Sequence, residues 1–314
     1  MKTLDLKKIH PFIMDDSLLK KRVFASKIMS EVIRASSSFL REKGFVEILP
    51  VIISPITDPL ADPSKGLRLE IYGYPFEITK SMIFHKQISV LSLRKIFTFS
   101  PNVRIEPPER KDSGRHLLEF TQLDLEVLKG RREEVMELGE DLLIHVIKSV
   151  KEKCKEELEF FERELPIPKK PFPRISWDEA VKNFGKDFEI PLSNQSSSPV
   201  WVIDFPIHER EFYDREWEDR EGYLADMDLI YPEGFGEALS GGEREWEYEK
   251  IVSKIKRKGL RPESFEFYLQ IAKTGLSPSA GFGIGVERLV RFLTGLKSVF
   301  EVKLFPKLPG EFSI

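Results

Sequence analysis

Residues 277–295 read SPSAGFGIGVERLVRFLTG. Gly281, Gly283 and Gly285 alternate with Phe282, Ile284 and Val286, and a period of two marks a strand. The glycines leave one face of that strand bare, so a flat ligand can lie against the backbone. The period then changes. Leu289, Val290, Phe292 and Leu293 follow helical spacing, and Gly295 stands where a helix ends. Arg288 falls in the first turn of this helix. A cation there opposes the helix dipole and needs a partner, for which a phosphate held beside backbone N–H groups is suited. A dinucleotide fingerprint fits less well, because its third glycine is missing and no βαβ unit follows. On this stretch alone, a glycine-kinked strand packed on a helix explains the pattern equally well.

A second stretch shifts that balance. Residues 96–126 read IFTFSPNVRIEPPERKDSGRHLLEFTQLDLE. Alternation places Val103 and Ile105 on one face and Asn102, Arg104 and Glu106 on the other. A loop rich in Pro, Gly and charge runs from Pro107 to Gly114. The returning strand sets Leu117, Leu123 and Leu125 against His116, Phe120, Gln122, Asp124 and Glu126. A solvated face explains the charges but not Phe120 among them. Arginine suits phosphate oxygens, an aromatic can stack on a base, and Asp124 can hold an ammonium group.

These segments resemble class II aminoacyl-tRNA synthetases: 101–126 is similar to motif 2 and 281–288 to motif 3. GFVEILP at 44–50 resembles motif 1, the dimer-forming helix and strand. GFGEALSGGER at 234–244 resembles the metal and amino-acid segment of the aspartyl and asparaginyl branch. PFPRISWDEA at 171–180 and DFP at 204–206 resemble the same branch. The likeness covers nearly the whole chain, in family order. It implies an α/β (α+β) fold, with a mainly antiparallel sheet of about six strands flanked by helices, built as a homodimer.

The resemblance also implies roles. ATP would bind bent, its adenine between Phe120 and Arg288, with Glu106 at the adenine edge and Gly285 alongside. Arg104 would hold the α-phosphate, and Arg115 with His116 the distal phosphates. Asp228 and Glu237 flank a Pro/Gly turn; two facing carboxylates repel unless a cation separates them, and hard oxygens suit Mg²⁺. The implied metal ligands are Glu237, Ser240 and Asp228. Ser81, Lys86, Gln122, Asp124 and Arg244 would contact the amino acid. Ile83 departs from the pattern, since aspartyl enzymes carry glutamine there. The loop SPITDPLADPSKG at 54–66 would close over the amino acid through Asp58 or Asp62.

Only MKTLDLKKIHPFIMDD precedes the first helix, too short for an OB-fold. Residues 1–314 therefore read as a single catalytic domain without an anticodon-binding domain, similar to archaeal asparagine synthetase-related paralogues. That likeness implies an aspartate–ammonia ligase, making asparagine and AMP through an aspartyl-adenylate, with tRNA not a partner. Two alternatives stand beside it: an enzyme acting on tRNA with a separate partner, and a catalytically silent paralogue. The presence of Arg104, Glu237 and Arg288 together argues against silence.

The 314 residues are 41% hydrophobic, enough for one large core. Lys+Arg 49 nearly balance Asp+Glu 52, leaving a net charge of −3, which is not the footprint of a protein held mainly by nucleic-acid phosphates. The heavy mixed charge is a weak thermophile signal. A lone Cys154 and the lack of any signal peptide or membrane span point to the cytoplasm. The five histidines have no zinc-ligand spacing. Residues 17–43 and 131–163 read as long amphipathic helices, and HEREFYDREWEDRE at 208–221 as a solvated charged segment anchored by Phe212 and Tyr213.

Overall fold

The computed structural model describes residues 16–60 and 65–312. Helix α1 (Asp16–Glu42) places Ala25, Ile28, Val32, Ala35, Phe39 and Leu40 on its buried stripe. Short strands β1 (Val46–Glu47) and β2 (Ile53–Ser54) follow, then the hairpin β3 (Arg68–Ile71) and β4 (Tyr74–Ile78). Helix α2 (Ile83–Leu93) leads into the long hairpin β5 (Lys95–Val103) and β6 (Glu119–Leu128). Helices α3 (Arg132–Lys153) and α4 (Lys155–Phe160) come next. They break at Cys154, whose backbone leaves the helical region (φ −119°, ψ 44°), so the single helix expected over 131–163 is two.

The second half contains β7 (Arg174–Ser176), α5 (Trp177–Phe184), α6 (Glu189–Gln195), β8 (Val200–Ile203), β9 (Asp226–Tyr231) and β10 (Gly236–Glu243). Helices α7 (Tyr248–Arg257) and α8 (Glu266–Gly275) precede β11 (Ser279–Gly285) and α9 (Val286–Thr294). Gly295 caps α9 in the left-handed region, φ 72°, as its position at the end of the periodic run requires.

The main sheet has eight strands in the order β1-β5-β6-β11-β10-β9-β8-β7. The six from β5 to β8 are antiparallel, and only the edge strands β1 and β7 pair in parallel. The expected six strands are this antiparallel body. The edges are two and three residues long, too short to leave a periodic trace. A separate three-stranded sheet runs β2-β4-β3.

Alternation divides the main sheet. Leu123, Leu125, Leu239, Phe282 and Ile284 face a core shared with α1, α3 and α9. Phe120, Gln122, Asp124, Gly283 and Gly285 face the other way, onto a cleft. In a regular strand Glu237 and Ser240, three apart, would project from opposite faces. The register of β10 against β9 slips between Glu237 and Leu239, and this bulge brings both residues to the cleft.

Candidate active site

Two adjoining cavities occupy the cleft. The larger, about 380 Å³, is lined by the motif-like residues Arg104, Glu106, Arg115, His116, Phe120, Gly285 and Arg288, with Glu237 at its inner end. The smaller, about 250 Å³, is lined by Ser81, Lys86, Asp124, Ser240, Gly283 and Arg244 among others. Arg104, Gln122 and Glu237 line both.

In the larger cavity each cation has a partner. Arg104 follows β5, donates twice to the carbonyl of Lys80 at 3.2 and 3.1 Å, and lies 5.0 Å from the centre of the Phe120 ring. Arg110 pairs with Glu106 at 2.8 Å and Arg115 pairs with Glu189. His116 Nδ1 shares a 2.7 Å hydrogen bond with Ser113. The partner demanded by Arg288 in its helical first turn is Glu237, 3.1 Å away, and the Arg115 carbonyl also accepts from Arg288. Glu287, buried beside it, accepts the Thr121 N–H at 3.0 Å and so ties α9 to β6. Burial alone would raise the Glu237 carboxyl, but Arg288, Arg115, Arg210 and Arg104 together hold it below its ordinary range.

The smaller cavity is more densely charged than its sequence suggests. Lys86, on an amphipathic helix, is 3% exposed and meets Asp124 at 2.9 Å and Glu126 at 3.8 Å. Arg244 pairs with Asp214 at 2.8 Å and Glu126 at 3.3 Å and donates to the Gly281 carbonyl. Gln122 accepts from the Asn102 amide at 2.8 Å, and Ser81 accepts the Ile83 N–H at 3.2 Å. Asp58 reaches this cavity, while Asp62 lies outside the described residues.

Asp228 stands apart from the other implied metal ligands. It lines neither cavity, and Arg210 pairs with it at 2.6 Å and with Asp226 at 2.8 Å while lying 3.7 Å from the Phe205 ring centre. Burial, helped by Glu237 and opposed by Arg210, raises its carboxyl. Burial carries Asp226 up to about 8, with Arg210 opposing.

One expectation needs correction. The 208–221 segment is not a solvated charge run: Arg210, Glu211, Tyr213 and Asp214 form a wall of the smaller cavity, and Phe212 is fully buried. Three aromatics inside a run of charges, Phe212, Tyr213 and Trp217, were the available signal. Glu189 and Glu287 were also missed, and nothing local distinguishes them from surface acids.

A catalytic core of the class II aminoacyl-tRNA synthetase type is defined by this antiparallel sheet, with its arginine-bearing hairpin and the glycine strand leading into α9. Residues 18–309 match the model of the tRNA synthetases class II (D, K and N), and the chain belongs to that family. It is similar to the asparaginyl-tRNA synthetase from Pyrococcus horikoshii complexed with asparaginyl-adenylate, at 27% identity over 94% of this chain and 70% of that one, TM-score 0.86. An Entamoeba histolytica asparaginyl-tRNA synthetase, also with asparaginyl-adenylate, matches at 24% over 100% and 73%, TM-score 0.84. The aspartyl tRNA synthetase of that organism matches at 23% over 93% and 60%, TM-score 0.75. These last two establish the fold alone.

The comparisons overturn the expectation of an aspartate–ammonia ligase serving asparagine biosynthesis without tRNA as a favoured partner. The similar structures are tRNA-charging enzymes. The expectation rested on how little chain precedes α1, which says nothing about the chemistry of the cleft. The class II fold goes with the use of ATP and Mg²⁺ in general. Among the described residues no helix is long and apolar enough to cross a membrane.

Proposed function

We propose that this chain activates asparagine or aspartate with ATP and passes the aminoacyl group to tRNA. The observation that carries the reading is the junction of the two cavities, where Arg104, Gln122 and Glu237 border both. A nucleotide in the larger cavity and an amino acid in the smaller would meet there. An α-carboxylate oxygen attacks the α-phosphorus, the bond to the β-phosphate oxygen breaks, and pyrophosphate leaves with the electron pair. A carboxylate needs no base for this, so the protein contributes positioning and charge. A tRNA hydroxyl then attacks the activated carbonyl, loses its proton, and displaces AMP.

Arg104 holds the α-phosphate, leaving its place on Phe120 to the adenine, which Arg288 covers from the other side. Arg115 and His116 hold the distal phosphates, Glu106 meets the adenine edge, and Gly285 allows close approach. Ser81, Lys86, Gln122, Asp124 and Arg244 shape the amino-acid side, with Lys86 and Arg244 acting through the acids they already grip.

The oxygens of Glu237 and Ser240 on the cleft suit Mg²⁺, and Asp228 behind them keeps a buried Oδ1 without a hydrogen-bond partner. Among the described residues no group of three or more His, Cys, Asp or Glu could hold a metal alone. Nucleotide phosphates would therefore complete the shell. Held by Glu237 and Ser240, Mg²⁺ would supply positive charge against the leaving pyrophosphate.

The chain works as a homodimer through α1 and the segment after it, where Val23, Ile33, Val46 and Leu49 are exposed. The direct test is ATP–pyrophosphate exchange with asparagine and with aspartate, followed by charging of tRNA. Exchange with neither amino acid would refute the reading.

A further inference from the structure

One carboxylate in the wall of the smaller cavity has no ion-pair partner among the described residues. Glu211 is 6% exposed and lines that cavity beside Asp58 and Asp214, and its Oε2 makes no hydrogen bond. Its surroundings aggravate the problem. Asp58 and Asp214 add negative charge, and Lys258 opposes them. Lys258 is itself spent on the Arg210 carbonyl.

The cations of the cavity are all committed elsewhere. Lys86 serves Asp124, Arg210 serves Asp226 and Asp228, Arg244 serves Glu126 and Asp214, and Arg104 donates to the Lys80 carbonyl. Asp58 accepts from the Leu60 N–H and the Tyr213 hydroxyl, both at 3.0 Å, which orients it without neutralising it. Among the described residues neither Asp58 nor Glu211 has an ion-pair partner. A desolvated carboxylate beside a second one is costly unless a cation stands between them.

We infer that Glu211, with Asp58, receives the α-ammonium group of the amino-acid substrate, an assignment that rests on the adenylation reading above. An ammonium group brings one positive charge and three donors, which match a carboxylate with one oxygen left bare next to a second carboxylate that only neutral donors reach. Asp124, the obvious alternative on β6, is already neutralised by Lys86. Placing the ammonium on this wall leaves the α-carboxylate free to turn toward Glu237 and Arg104 at the junction.

The test compares amino acids with analogues lacking only the amino group. Wild type and Glu211→Gln are titrated calorimetrically with aspartate against succinate, and with asparagine against succinamate. Wild type should bind an amino acid about 10- to 100-fold more tightly than its analogue, as a hydrogen bond to a charged group implies. Glu211→Gln should bind both about equally, and Asp58→Asn should lose part of the preference.

Removing a partnerless charge should leave the melting temperature of Glu211→Gln at or above wild type, which separates lost binding from unfolding. Glu211→Asp keeps the charge and shortens its reach, so it should fall between the two and serves as the test if the Gln variant does not fold. An unchanged preference in a folded variant overturns the assignment, as does a wild-type protein that binds none of the four ligands. Exchange is followed on the same samples. Wild-type preference for the amino group without any exchange would sink the adenylation reading and leave this assignment standing.

Discussion

Gly281 and Gly283 look interchangeable along β11, but the structure predicts opposite consequences for replacing them. A Cβ at 281 would stand 2.9 Å from Glu126 Cα, and closer still to the Leu125 carbonyl oxygen. These are backbone atoms of the paired strand β6, so relief requires the two strands to part in the middle of the sheet. Gly281→Ala should cost about 3 kcal/mol, the upper end of ordinary overpacking. At roughly 2 °C per kcal/mol for a domain of this size, melting should fall by about 6 °C. A Cβ at 283 would meet only side-chain ends, Asp124 Oδ1 and Gln122 Nε2, each at 3.1 Å. They can give by a few tenths of an ångström, and alanine recovers some of the backbone entropy that glycine loses on folding. Gly283→Ala should therefore melt within about 1 °C of wild type. Its methyl group would enter the smaller cavity and displace Asp124, lowering kcat/KM for the amino acid in pyrophosphate exchange by about 10- to 100-fold. Differential scanning calorimetry and exchange assays on both variants decide the matter. A Gly281→Ala protein that melts with wild type, or a Gly283→Ala protein that exchanges like it, would refute the reasoning.

Arg288→Ala should lower exchange by about 100- to 1000-fold, the loss of a preorganised charge contact in an enclosed site. Its partly exposed pair with Glu237 should contribute little to stability, so near-normal exchange in the folded variant would reduce the motif 3-like segment to a structural role. Lys86→Met leaves the buried Asp124 carboxylate without its ion-pair partner and should destabilise the chain by about 3–5 kcal/mol in urea unfolding; a midpoint equal to wild type would contradict that. Burial, reinforced by Asp58 and Asp214 and opposed by Lys258, pushes Glu211 up to about 7. Since its folded value exceeds its unfolded one, its contribution to stability is full below about 4.5 and is lost as pH rises through about 7. The ionised form is the one that binds ammonium, so the amino-acid KM should fall between about pH 6 and pH 8, and a profile as steep in Glu211→Gln would count against it. Leu49 is 90% exposed; if it belongs to a self-association face, Leu49→Glu should convert a dimer to a monomer in sedimentation, and an unchanged mass would exclude that face.

Much of the fold was legible because periodicity reports which way a residue points. The glycine strand, its turn into α9, the long hairpin and the buried stripe of α1 all follow from spacing alone. So does the sharing of one face by Phe120, Gln122 and Asp124. The shape of the cleft was less accessible where a residue's role depended on its neighbour across the fold. Lys86 and Asp124 are 38 positions apart and Arg244 and Glu126 are 118 apart, and no local pattern reveals that they neutralise one another.

The sequence by itself determined the strand and helix periods, the glycine gaps and the order of the motif-like segments, since each depends on residues a few positions apart. Tertiary structure alone decided three things. A slip of register in β10 turned Glu237 and Ser240 to the same side. Packing against Phe205 carried Arg210 onto Asp226 and Asp228, removing Asp228 from the open cleft. Burial of Phe212 drew a run of charges inward and left Glu211 desolvated without an ion-pair partner among the described residues. In each case the physical cause is a desolvated charge or a hydrogen-bond register, and both are set by whichever distant atoms the folded chain brings alongside.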